Sequence, residues 1–229
     1  MTSRDQQGFT LIEVLVALAI MAMMAIMSWR GIESMWQTQS TLQERSNRLR
    51  TVQTALAQWQ VDLDKQSTHS QITPWDWDGK VMRLTREGFS PTDPLRVVAW
   101  SWEPNPVQPN ALVWKRWQST PILTLAQWQT AWDEARTWSQ TPTAALRQDE
   151  IQLFDIGKMQ LFVSREGSWS NPLSSDTTNG SQDSKGQVAP PPRRQPAEAI
   201  RLILDVRDPS LEGTITLDWL SPIFTGKRT

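Results

Sequence analysis

The sequence predicts an α+β protein: one long N-terminal α-helix followed by a β-rich domain. Three observations carry this. An almost wholly apolar run extends from Phe9 to Trp29. A seven-residue apolar series then continues the helical pattern to about Lys65. After Gln66 the texture changes to short β-like runs parted by turn-forming clusters.

The apolar run comes first. It is interrupted by Glu13, and Val14–Met27 carries no polar side chain. Residues 9–29 contain no Gly or Pro, and Ala, Leu and Met favour helix. At the helical rise the run is roughly 31 Å long, enough to cross one bilayer core. A conventional cleaved signal peptide would need a small-residue site after the run. The run instead exits into Ile26-Met27-Ser28-Trp29-Arg30, a poor site, and the polar residues 1–8 before it are only weakly basic, with Arg4 offset by Asp5.

Residues 30–66 read as an amphipathic continuation. Met35, Leu42, Leu49, Leu56 and Leu63 recur every seven residues, with Val52 and Trp59 beside them, and no Pro or Gly falls between Gly31 and Pro74. The whole helix would be roughly 85 Å long. One small domain covers only part of such a length. Leu49, Val52, Leu56, Trp59 and Leu63 are therefore expected to pack on the chain's own sheet. Met35 and Leu42 are expected on exposed helix, open to the helices of other subunits, with Glu33, Glu44 and Arg45 beside them to tune the fit.

Residues 67–229 hold the β-like runs Val81–Arg86, Leu95–Trp102, Ala111–Gln118, Ile151–Val163, Ala199–Val206 and Thr214–Trp219. Leu125, Trp128, Trp132 and Ala135 stand at helical spacing, so Leu125–Trp138 reads as a short amphipathic helix. Residues 174–196, rich in Ser, Asp, Gly, Gln and Pro, read as a long flexible loop.

Composition narrows the function. Net charge is −1, with 23 basic and 24 acidic residues, which gives no footprint for nucleic acid. Mean hydropathy is −0.47, so membrane contact is confined to one segment. With no cysteine and one histidine, His69, thiolate chemistry and a multi-histidine metal site are excluded. Asp62, Asp64, Asp76 and Asp78 are the acidic candidates for calcium, but Asp76-Trp77-Asp78-Gly79 is too brief for such a loop. No Ser/His/Asp set, phosphate loop or catalytic carboxylate pair is present, so no catalytic residue, metal or cofactor is assigned. The 14 tryptophans, in a chain without tyrosine, favour core packing over ligand stacking. Trp100 and Trp102 are expected on one strand face, and Val97 and Ala99 on the other.

The string Gly8-Phe9-Thr10-Leu11-Ile12-Glu13 stands directly before the apolar run. A small residue at Gly8 lets backbone enter a protease site. A cut after it places a new ammonium on Phe9. Glu13 is a carboxylate where hydrocarbon makes charge costly, and it needs a partner such as that ammonium, in its own chain or a neighbour's. With this string the sequence resembles the type IV pilin-like superfamily and its class III prepilin leader. The resemblance implies cleavage between Gly8 and Phe9, N-methylation of Phe9 by the prepilin peptidase, and a long helix packed on an antiparallel sheet. The remainder is most similar to the J-type minor pseudopilins of type II secretion. That similarity rests on Gln58–Asp64, Ala111–Trp117, Ile156–Val163 with Gly167-Ser168-Trp169, Pro196–Leu204 and Thr214–Trp219, in that order. It implies a structural filament subunit, near the tip, anchored in the bacterial inner membrane with a periplasmic domain. Its partners would be sibling minor and major pseudopilins and secreted proteins. A minor pilin of a type IV pilus and a membrane-tethered periplasmic enzyme are the alternatives. Pilins often carry a C-terminal disulfide, which a chain without cysteine cannot form.

Overall fold

The structure, a computed structural model, describes residues 10–90, 92–165, 167–173, 197–208 and 211–222. It divides into two compact units between Leu49 and Arg50. The expected leader 1–8 and the whole of the expected loop 174–196 lie outside the described residues, as does Phe9.

One helix, α1, runs from Leu11 to Asp64. The first unit is its N-terminal part. From Thr10 to Leu49 every residue is exposed except the half-buried Ser46. Polar side chains there are satisfied locally: the Thr38 and Thr41 hydroxyls donate to the carbonyls of Ser34 and Gln37 at 2.9 and 3.0 Å.

The second unit contains the last turns of α1 and an antiparallel sheet. Its elements are β1 (Trp75–Trp77), β2 (Met82–Arg86), β3 (Arg96–Pro104), β4 (Leu112–Gln118), α2 (Leu125–Gln140), α3 (Ala144–Arg147), β5 (Glu150–Arg165), β6 (Ser168–Ser170), β7 (Ala199–Asp208) and β8 (Leu211–Leu220). The strand order is β1-β2-β3-β4-β5-β7-β8, with β6 paired to β5. This is the α+β, pilin-like arrangement that the resemblance implies. All six expected strands and the expected helix form. The strands β1 and β6 and the helix α3 were not foreseen.

Two hydrophobic clusters lie on opposite faces of the sheet. The main one joins Val52, Ala55, Trp59 and Leu63 of α1 to Trp100, Trp114, Phe154, Ile200, Leu202 and their neighbours. Trp59 meets Trp100 edge-on at 5.3 Å, and Trp100 lies 4.7 Å from Trp114. Such pairs add about 0.5–1.5 kcal/mol to ordinary burial. Trp59, Trp77, Trp100, Trp114 and Trp219 are buried in this cluster as expected, whereas Trp29, Trp36 and Trp169 are exposed. Strand alternation holds as expected in β3: Trp100 is buried and Trp102 partly buried in the main cluster, while Val97 and Ala99 face the second.

The seven-residue stripe grades along α1. Leu63 is fully buried, Leu56 half-buried and Leu49 38% exposed. Leu49, expected among the buried positions of the helix, falls in the first unit and is exposed. A strict seven-residue repeat drifts about 20° per heptad around a straight α-helix, so the stripe leaves the buried face as it is followed towards the N-terminus. Ala55, absent from the expected set, takes up buried surface instead, 2% exposed.

A buried carboxylate lies against the main core, with two buried arginines around it. Asp62 is fully buried and accepts hydrogen bonds from five donors. Gln58 Nε2, Arg86 Nη1 and Arg116 Nη2 donate to Oδ1 at 2.8, 3.0 and 3.0 Å. Arg116 Nε and Trp100 Nε1 donate to Oδ2 at 2.8 and 3.0 Å. The carboxylate ties α1 to β2, β3 and β4 at once. Next to it, Trp219 Nε1 donates to Asp64 Oδ1 at 2.7 Å, which ties α1 to β8.

The remaining acidic candidates have plain structural roles. Asp76 pairs with Arg83 at 2.7 Å. Asp78 Oδ1 accepts the backbone N–H groups of Lys80 and Val81 at 2.9 and 2.8 Å. Gly79, at φ 96°, supplies the left-handed residue of that turn. His69 is exposed, as expected.

Candidate functional site

The candidate site is the start of α1. Its first helical hydrogen bond runs from the Val14 N–H to the Thr10 carbonyl, which makes Thr10 the N-cap and Glu13 the third helical residue. The Thr10 backbone N–H donates to Glu13 Oε2 at 2.9 Å, and the Thr10 hydroxyl donates to the same oxygen at 2.7 Å. An N-cap N–H held by the acid three residues on is one half of a capping box. The helix macrodipole also favours a carboxylate in this first turn. Both bonds converge on Oε2, and among the described residues Oε1 accepts none. The chain therefore begins its apolar helix with an ordered carboxylate that keeps one oxygen for another donor.

Thr10 was not singled out from the sequence, yet Thr10-Leu11-Ile12-Glu13 is a Thr-x-x-Glu string, the signature that would have found it. The residues that follow have no covering among the described residues. Leu11, Met23, Met24 and Met27 are all more than half exposed. The helix is long and apolar enough to cross a membrane, and it carries the one such span among the described residues.

Further along, Met35 and Leu42 are 71% and 61% exposed, open on the helix surface as expected. The charges expected beside them need correction. At 100° per residue, Glu33 and Glu44 fall on nearly the opposite side of α1 from Leu42, whereas Arg45 flanks it at about 60°. Of the three expected charges, Arg45 alone stands beside the stripe.

Residues 3–29 match the family model described as the prokaryotic N-terminal methylation motif. The match takes in Gly8, Phe9, Thr10 and Glu13 together with the apolar run. No curated protein and no solved structure matches the chain. For this N-terminal segment the match supports the resemblance to the type IV pilin-like superfamily and its class III prepilin leader.

Proposed function

We propose that the chain is a minor pseudopilin of a type II secretion system, a structural subunit near the tip of the periplasmic pseudopilus, with no catalysis of its own. The observation that carries this is the ordered Glu13 carboxylate at the head of an uncovered apolar helix, directly after a Gly-Phe junction. Residues 9–29 anchor the precursor in the inner membrane, and the sheet domain stands in the periplasm. Cleavage after Gly8 and methylation of Phe9 give the mature subunit, whose N-terminal ammonium meets Glu13 of its own or a neighbouring helix. The lack of cysteine supports a pseudopilin over a disulfide-bearing type IV minor pilin. The J-type similarity of the segments named above supports the minor class.

Intact-mass analysis of membrane-extracted protein tests the processing. The mature chain is expected to begin at Phe9 and to carry one added methyl group. A terminus after Ser28, or an uncut Met1, overturns the reading.

The exposed stripe of α1 is proposed to meet the helices of sibling pseudopilins. Leu42→Asp is expected to leave the melting temperature of the sheet domain unchanged, because Leu42 is exposed and lies outside the compact unit that contains the sheet. It is expected to lower co-purification with sibling subunits by about tenfold, the effect of roughly 1.4 kcal/mol at an interface. Unchanged recovery of the complex removes Leu42 from the interface.

A further inference from the structure

The second hydrophobic cluster consists of Val81, Val97, Ala99, Trp117 and Ile122 from the sheet side, covered by Ala131, Ala135 and Trp138 of α2. It shares no residue with the main core, which lies on the other face. All the covering comes from one segment, residues 123–149, inserted between β4 and β5. That segment begins with a complete capping box, in which Thr124 and Gln127 each bond the other's backbone N–H.

The cover is fastened by polar groups, one at each of its tryptophans. Trp128 Nε1 donates to Thr85 Oγ1 at 2.9 Å. The Arg83 guanidinium stacks on Trp132 at 4.7 Å and donates to the Trp132 carbonyl at 3.0 Å. Trp138 Nε1 donates to Glu150 Oε2 at 2.8 Å, and the fully buried Lys115 ammonium lies 4.6 Å from the Trp138 ring. Lys115 Nζ also bonds Glu103 at 2.8 Å and Glu150 at 3.4 Å. Arg147 of α3 closes the group by reaching both Glu103 and Glu150, at 3.2 and 3.1 Å.

We propose that residues 123–149 form a cover that opens as a unit, latched to the sheet by the Lys115–Glu150–Trp138 group, while the core around α1 stays closed. The geometry favours separate opening. Detaching α2 and α3 breaks the latch and bares the outer face of β2, β3 and β4, but leaves every residue of the main core in place. Local stability follows such divisions, since amide exchange reports cooperative units rather than whole molecules. What is bared is an apolar strip centred on Val97, Ala99 and Trp117.

The charges facing the latch are Glu103 from β3, Lys115 from β4, Arg147 from α3 and Glu150 from β5. Burial pushes the Glu103 carboxyl up, but bonds and attraction from Lys115 and Arg147 outweigh it and hold it below its ordinary value. A depressed carboxyl contributes stability above its unfolded pKa and loses it as pH falls through the lower, folded value. The latch is therefore at full strength at neutral pH and weakens in acid.

Hydrogen–deuterium exchange on the full-length protein in detergent tests this at neutral pH. In the wild type, amides of α2 are expected to exchange well before those of β5 and β7. Lys115→Met removes the buried ammonium at nearly constant volume. It is expected to speed α2 exchange about 10- to 100-fold, the effect of one charged hydrogen-bond group, with β7 unchanged. Trp138→Phe, which removes only the indole donor and part of the ring, is expected to act in the same direction and guards against a Lys115 variant that does not fold. Equal exchange of α2 and β7 in the wild type, or equal acceleration of both in either folded variant, makes the domain one cooperative unit and overturns the proposal. Neither outcome bears on processing or membrane anchoring.

Discussion

Replacing Asp62 with alanine is expected to lower the stability of the sheet domain by about 3–5 kcal/mol, the usual cost of removing one partner from a buried ion pair. The reason is what remains. Arg86 and Arg116 are both buried, and the Asp62 carboxylate is the anion that both of them bond. Without it, two guanidiniums stay in the core with no countercharge, and the Trp100 indole and Gln58 amide lose their acceptor. For a domain of this size the change corresponds to a fall of roughly 6–20 °C in melting temperature. Asp62→Asn is expected to cost less, because an amide oxygen keeps part of the acceptor set. Thermal melts of the full-length protein in detergent, followed by tryptophan fluorescence, measure both. A loss under about 1 kcal/mol for the alanine variant would mean that solvent or another acid reaches the two arginines.

The second large effect is expected at Glu13. Glu13→Leu should leave membrane insertion intact or improved, since it removes the one ionisable group from the segment that follows Thr10 and precedes Trp29. Assembly should suffer instead. The capping bonds from Thr10 are worth only about 1 kcal/mol to the helix. A carboxylate meeting an N-terminal ammonium in hydrocarbon is worth several kcal/mol. Incorporation into filaments is therefore expected to fall by about tenfold or more, while the protein remains in the membrane fraction. Membrane fractionation combined with complementation of an export-deficient strain separates the two effects. Full export by the leucine variant would reduce Glu13 to a helix cap.

These two residues also mark what the sequence makes legible. Glu13 stands out because a single acid in an apolar run is anomalous on its face, and its partner Thr10 is three residues away. The β3 alternation was legible for the same local reason, since Val97, Ala99, Trp100 and Trp102 reveal their faces by parity alone. Local sequence offers Asp62 only as an unsupported calcium-ligand candidate. Its arginine partners lie 24 and 54 residues further on, and nothing local pairs them with it. Its phase was a clue: it sits three residues after Trp59, on the face that Ala55 also shares. The helix α3 and the strands β1 and β6 were missed because three or four residues carry no measurable period. Leu49 was misplaced because a seven-residue rule was extended along a helix that turns every 3.6 residues.

The bond between Trp219 and Asp64 spans 155 residues of sequence, whereas the strands from β1 to β5 pair with their immediate successors. A chain synthesised from its N-terminus delivers α1 first and β8 last. The meander of early strands can zip locally, at small loop-closure cost, as each one emerges. Trp59 can meet Trp100 of β3 and Trp114 of β4 early, but the tie from Asp64 has to wait for Trp219 of β8. The tryptophan of β8 is thus the last of the side-chain ties on α1 to become available as the chain is made.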